Sequence, residues 1–467
     1  MDPPARDTLL LAAVAAGAGL FVFLIATELF PYGSANHGEG VYLTQAELLL
    51  DGRLWFETPL TDAFRWWFFV EDGTRLYPKY QPVVPALFAV GLVVGVPRLV
   101  LAAAGAGVVG LVGLLTREAY DAQTALVASI LVVASPLYLL STSVSLPYAP
   151  TTLLNLGFAR PYTAVLFALP FIGHALWLLW TARDDRIRRL ALCVALVATP
   201  AVTVAEANAL GPPVRENAAH TDRYANAYEP FADDVPEGVV FVPTPYGEWL
   251  GHPFQSLRND PDLDGDTVFA PDRTPSENFA VLDAYPERDH YRFTHQGTWT
   301  AEPRDRTVAD LQPIGVRSGE EHRVRFETGV VGRPSTVRIA DGDDDATYAV
   351  TADPNETFAV EWTLTPGRAA VTADGLRQRD DGTVTFDGSA EISLAVTYVQ
   401  AGGATVTYRQ EVSVEERGDR VRLVWPPVVS VCRLTTDCGH EERYVSDGAF
   451  LDGVSVNQNS RSAPQDP

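Results

Sequence analysis

The sequence predicts a two-part protein. An all-α membrane part of about five spans plus a short re-entrant helix is followed by an exported mixed α/β module that ends in a β-sandwich. Three observations predict it. Apolar runs fill most of the first 210 residues, short alternating segments with Gly, Pro and Asp-Gly turns fill the rest, and charge divides at the same place. Residues 1–210 carry 12 basic and 15 acidic side chains and the remainder 23 and 44, so −21 of the net −24 lies after residue 210. Such acidity excludes a nucleic-acid partner, which requires a basic footprint.

The first element is the run at 8–30, "TLLLAAVAAGAGLFVFLIATELF". It has the ~20 residues a helix needs to cross a bilayer. Arg6 precedes it and no small-residue cleavage site follows, so it reads as an uncleaved anchor. A polar loop from about 32 to 82 comes next. The apolar run 83–96 has 14 residues, about 21 Å of helix against a ~30 Å hydrocarbon core, which suits a re-entrant helix ended by Pro97. Further spans are expected at 99–116, 124–140, 162–180 and 190–210. The basic loop with Arg183, Arg186, Arg188 and Arg189 places residues 182–189 inside. The N-terminus is then cytoplasmic, and both the 32–82 loop and the C-terminal part are outside.

After residue 210 the apolar period shortens. "EGVVFVPTPYGEWL" and "GDTVFAPDR" read as short strands within a mixed region at 211–304. From 305 to 455 strands recur at close spacing, with "DG" turns, as in an antiparallel sandwich. The polar end, 456–467, is expected to fray.

Composition adds an environment. Lys79 is the single lysine among 35 basic residues, and Asp and Glu are abundant. That usage resembles proteins of salt-loving archaea; the Debye length is only about 3 Å at 1 M salt, so surface self-repulsion is screened. Cys193 lies inside an apolar run. Cys432 and Cys438 are close enough to form a disulfide loop if that part is exported. Together with His440 they could instead suggest zinc, for which a further Cys/His pair is lacking nearby. No motif calls for a cofactor, and none supports a divalent metal.

The stretch "NHGEGVYLTQAELLLDGRLWFETP" carries the functional signal. Glu39, Tyr42, Gln45, Ala46, Leu49 and Gly52 follow the first span as an acid and then a "Y..QA..L..G" surface helix. "RLYPKYQPVVPALFAVG" leads into the next helix through its prolines, "LLTREAYDAQTALVASILVVASPLYLLSTS" reads as a helical hairpin, and "ARPYTAVLFALPFI" as a later helix. In that order the motifs resemble polytopic membrane glycosyltransferases of the GT-C type, relatives of protein O-mannosyltransferases and aminoarabinose transferases. The resemblance covers about residues 8–205, and extends to haloarchaeal members with exported β domains.

The resemblance implies transfer of a sugar from a polyprenyl-phosphate donor to an acceptor at the outer face of the bilayer. Glu39 is then the general base on the acceptor hydroxyl. Tyr42 and Tyr80 would contact substrate, and Arg65, Arg75, Lys79 or Arg160 would meet the leaving phosphate. Trp55, Trp66 and Trp67 suit an interface and can stack on sugars. Each has a plainer reading: Glu39 as a helix N-terminal acid, His37 as a surface residue, Lys79 as a snorkelling anchor, the tryptophans as interface anchors. Two departures stand out. Gly38-Glu39 occupies the place of an Asp-Glu pair, and the spans number fewer than the family's. They leave open a second function, a non-catalytic membrane-anchored surface protein displaying the sandwich, and a membrane partner subunit could supply missing helices.

Smaller signals fit structural roles. Asp260, Asp262 and Asp264 stand at calcium-loop spacing, but Pro271 occupies the bidentate position, so an acidic turn is expected. "ADGDDDAT" at 340–347 reads as a hairpin turn. "PTPYGEWLGHPFQSLRNDP" suits a small-domain core or a carbohydrate or partner surface. Asn355 opens an acceptor sequon usable only outside.

Overall fold

A computed structural model describes residues 3–34, 36, 38–66, 68–159, 185–232, 235–244, 253–298, 307–342, 344–379 and 382–462. The chain opens with α1 (Pro3–Glu28), α2 (Gly38–Leu50), β1 (Phe56–Glu57), α3 (Thr61–Phe64), β2 (Phe69–Asp72) and β3 (Arg75–Pro78). There follow α4 (Val83–Val93), α5 (Arg98–Ala119), α6 (Ala122–Val133), α7 (Pro136–Thr142) and α8 (Tyr148–Ala159). Among the described residues, two helices, Arg6–Glu28 and Arg98–Ala119, are long and apolar enough to cross a membrane. They pack side by side through small residues: a Cβ on Gly19 would meet Ala102 O at 2.8 Å, the close backbone approach that membrane helices achieve with Gly and Ala. Arg98 Nη2 donates to Phe30 O at 3.2 Å and fixes the end of the first against the start of the second.

The run expected as one span at 124–140 is two helices bent by 67° at Ala134–Ser135. Pro136 cannot continue the upstream ladder, and Ser135 Oγ accepts from Tyr138 N–H as a new N-cap. The short run at 83–96 forms the eleven-residue α4. The expected span at 162–180 lies outside the described residues. The boundary expected at residue 210 falls inside one helix, Asp185–Tyr228, of 44 residues. Pro212 and Pro213 argue locally for a stop, but Asn217 Nδ2 and Thr221 Oγ1 both donate to Leu29 O, and Tyr228 stacks on Tyr32 with centroids 4.6 Å apart. Tertiary contacts carry the helix past its prolines.

The C-terminal part is mostly β. Three parallel strands lie in the order β6 (His290–Gln296), β4 (Gly238–Pro243), β5 (Thr267–Asp272), with the helix Pro275–Ala284 between the last and first of these in sequence. A complete capping box, Thr274 with Glu277, starts that helix. Next come β7 (Val308–Gly319), β8 (His322–Gly329), β9 (Arg333–Asp341), β10 (Asp344–Val350), β11 (Thr357–Thr365) and β12 (Arg368–Val371). The chain ends with β13 (Leu376–Gln378), β14 (Thr383–Thr385), β15 (Ser389–Val399), β16 (Thr405–Arg417), β17 (Arg420–Trp425), β18 (Val428–Arg433) and β19 (Val456–Ser462).

Two sheets of eleven and five strands, the second in the order β14-β12-β11-β8-β19, enclose a core with Trp362, Tyr398, Tyr408 and Phe326 fully buried. Alternation along β11 and β15 supplies that core from one face of each strand. The expected hairpin at 340–347 is present, pairing Asp341 with Asp344. Antiparallel pairing of β6 with β7 makes the parallel unit continuous with the large sheet across the expected 304/305 division. Residues 456–462, expected to fray, form β19 on the edge of β8.

Candidate functional site

The helix α2 begins at a tight corner. Asn36 Oδ1 accepts from Gly38 N–H at 2.9 Å, two residues on, as Asn does at turns. Gly40 is a close approach: a Cβ there would lie 2.7 Å from Gln255 O. Gly38 has Asn36 Oδ1 and a Leu146 methyl at 3.1 and 3.2 Å from its would-be Cβ. An acidic side chain at 38 would be crowded there.

Glu39 is 3 % exposed. Its Oε1 accepts from Ser34 N–H and its Oε2 from Ser145 N–H, both at 2.6 Å. Burial pushes its carboxyl above the ordinary value, against the pull of its bonds to Ser34 and Ser145. The carboxylate thus clamps the loop after α1 to the loop after α7. Both of its oxygens already hold amides.

Beside it, Tyr42 stacks on Tyr80 with ring centroids 4.9 Å apart and planes 5° from parallel. Burial raises the Tyr42 hydroxyl pKa, with smaller contributions from Tyr80 and Tyr148. Gln45 Nε2 donates to Tyr80 O at 3.1 Å and ties α2 to the segment before α4. Lys79 Nζ sits 4.1 Å from the Phe68 centroid and 5.7 Å from that of Tyr80, a cation over two rings. The structure therefore brings Glu39, Tyr42, Lys79 and Tyr80 to one corner. Arg65 is turned elsewhere, toward Glu71 at 3.4 Å. Arg75 lies over Trp55 and reaches Glu57, while Trp66 packs on the buried cluster around Phe254 and Phe293. Arg160, His37 and Trp67 lie outside the described residues.

What the sequence reading missed is the lid on this corner. Residues Pro253–Ser256 form a short 3-10 turn, and Gln255 reaches into the loop. Its Nε2 donates to Ser34 O at 2.6 Å and its Oε1 accepts from Gly40 N–H at 3.3 Å. Arg258 makes a forked pair with Glu47 of α2, at 2.8 Å from Nη2 and 3.1 Å from Nε. Arg53 meets Asp262 at 2.5 Å, and Arg273 donates to the Asp62 carbonyl at 2.9 Å and to that of Arg65. A cavity of about 70 Å³ remains between α2 and the C-terminal part, lined by Val41, Thr44, Phe64, Phe254 and Leu263 among others. It is far below the roughly 300–1,000 Å³ of small-molecule sites. The one available signal was the Gly38 and Gly40 pair, which marks backbone approach as readily as catalysis.

The remaining expectations have definite places. The Asp260–Asp262–Asp264 group is a turn in which the Asp260 carboxylate accepts from Gly265 and Asp262 N–H groups, with Arg53 on Asp262 and Arg288 on the Asp264 carbonyl. Cys432 and Cys438 are joined in a disulfide with Cα atoms 5.5 Å apart.

Residues 238–412 are similar to a family described as Domain of unknown function (DUF7846). The matched stretch runs from the first parallel strand to within β16 and leaves the helical part outside it. No curated protein and no solved structure matches the chain.

Proposed function

We propose that this chain is a membrane-anchored protein in which a glycosyltransferase-like helical base carries an exported α/β and β-sandwich module, and that its first loop seats the module instead of transferring sugar. The observation that carries this reading is the state of Glu39: both oxygens hold backbone amides, and Gln255 closes the loop beside it. The cations nearby support it. Lys79 is engaged with two rings, and Arg65 and Arg258 with carboxylates. Placement of the module outside rests on the basic loop at 182–189 and on the acidity after residue 210.

The testing experiment is sugar transfer from a labelled polyprenyl-phosphate donor in high-salt membranes, run with an active full-length GT-C enzyme beside it. No transfer by this chain is expected, together with protease accessibility of the module from outside the cell. Transfer by the wild-type chain would sink the proposal.

A second reading, inverting sugar transfer with Glu39 as base, is favoured by one feature: a buried carboxyl with a raised pKa beside Tyr42, Tyr80 and Lys79. It requires transfer that is lost in Glu39→Gln while the variant still folds. A membrane partner subunit would then complete the donor groove.

A further inference from the structure

A second, larger cleft opens where the carboxyl ends of β4 and β5 meet the outer faces of β15, β16 and β18. Its volume is about 680 Å³, within the range of small-molecule sites. The carboxyl edge of parallel strands is where open α/β sheets take their ligands.

The walls are charged. Asp272, Glu391 and Glu411 face Arg292, Arg409 and Arg443. No Phe, Tyr or Trp lines the cleft among the described residues, so it offers no platform for a nucleobase. Five carboxylates against four guanidinia also make it a poor place for a polyphosphate. The loop closing one side is fixed by the Cys432–Cys438 disulfide and by a backbone bridge between Ser430 and Arg443.

Part of this charge is balanced internally: Arg409 pairs with Glu411 at 3.0 Å and also with Asp437. Two demands are left over. Arg443 is 7 % exposed, its Nη1 has no hydrogen-bond partner among the described residues, and its ion pair with Asp272 spans 4.0 Å. A buried donor left so is destabilising until something accepts from it. Arg292, 6 % exposed, stands in the same wall with Nη1 on Pro426 O at 3.1 Å. The Glu391 carboxyl, which opens onto the cleft, is pushed up to about 7 by desolvation and then by Glu411 and Asp272, against the pull of Arg409 and Arg443, so those acids repel and call for a cation. A bare metal does not answer: among the described residues only Asp260, Asp262 and Asp264 converge closely enough to hold one. What is wanted is an anion and a cation on one small molecule.

We propose that this cleft binds a zwitterion of amino-acid type, its carboxylate on Arg443 and Arg292 and its ammonium among Glu391, Glu411 and Asp272. The pairing is geometrically economical. A carboxylate accepts two parallel N–H bonds from a guanidinium, and an ammonium has three donors for the opposing acids.

The test uses the full-length protein in detergent at high salt, by thermal shift and calorimetry. Probes are the common amino acids, their N-acetyl and methyl-ester forms, glucuronate and inorganic phosphate. At least one free amino acid should bind, and blocking either end should weaken it by about tenfold or more. Glu391→Gln and Arg443→Lys should each weaken it by about tenfold, and Arg53→Ala, which lies elsewhere, should leave it unchanged. Should Arg443→Lys not fold, Glu391→Gln, which opens onto the cleft, carries the test alone. The proposal is overturned if no free amino acid binds, if blocked forms bind equally, if Glu391→Gln binds as wild type, or if only glucuronate or phosphate binds.

Discussion

Glu39 holds the Ser34 amide of its own loop and the Ser145 amide 106 residues farther along the chain. Replacing it with Ala leaves two part-buried amides without acceptors, at about 1–3 kcal/mol each, so Glu39→Ala should lower stability by roughly 2–6 kcal/mol. Gln retains one acceptor and should recover part of that loss; melting in detergent reads both variants, and an Ala variant as stable as wild type would refute the clamp. Glu391 gives a pH signature. Its native pKa is raised from 4.5 to about 7, so the folded state holds the proton more tightly than the unfolded state. Stability from this group therefore falls as pH rises from about 4.5 to 7, and above that window the loss is complete. Glu391→Gln should remove that slope and gain about 1 kcal/mol at pH 8 after allowance for solvent screening. His440, lowered to about 4 by burial and by Arg443, acts in the reverse sense as pH falls. Comparing variant with wild type across pH 4 to 8 isolates Glu391; parallel profiles would remove it as the source.

At the scale of elements, β19 is the strand with most to teach. "VNQNSRS" has almost no apolar residue, yet it pairs along β8 from Val456 to Ser462. Gln458 supplies the tertiary hold, accepting from Gln410 Nε2 at 2.6 Å while Gln410 Oε1 accepts from the buried Trp362 indole at 3.2 Å. Truncation before Val456 should expose the β8 edge, strand Gln410 and lower the melting temperature of the sandwich by several degrees; an unchanged melt would make β19 an ornament. Periodicity found β8 through β12 because one face of each strand is buried. β6 and β7 lack that signal, because "HYRFTHQ" and "VADLQPIGVRSG" hold polar residues and Pro313, and Pro426 and Pro427 separate β17 from β18. In the helical part the hydropathy of α1 and α5 was plain; the bend at Pro136 is a local break inside an unbroken apolar run, whereas the continuation past Pro213 depends on partners far away in sequence. The candidate site was legible to the same extent. Glu39, Tyr42, Lys79 and Tyr80 do meet, but no local pattern shows that Gln255, 215 residues on from Gly40, will cover them.

At the scale of the whole molecule, charge sets the working conditions. A net −24, almost all of it beyond residue 210, repels itself where the Debye length is about 10 Å, at 0.1 M salt, and far less where it is about 3 Å, at 1 M. Melting temperature should therefore rise with salt from 0.1 M into the molar range; a flat response would argue that internal pairs such as Arg422 with Asp283 and Glu415 already cancel the repulsion.

The helix Asp185–Tyr228 has a mechanical meaning of its own. Forty-four residues of helix make a shaft of about 66 Å. Bearing and head are then geared together. One alanine inserted near residue 205 would turn everything beyond it by about 100° and advance it by about 1.5 Å, pulling Tyr228 off Tyr32 and Thr221 off Leu29. Seven inserted residues would come back to within about 20° of the original bearing but about 10 Å farther along, so phase and height can be dialled separately.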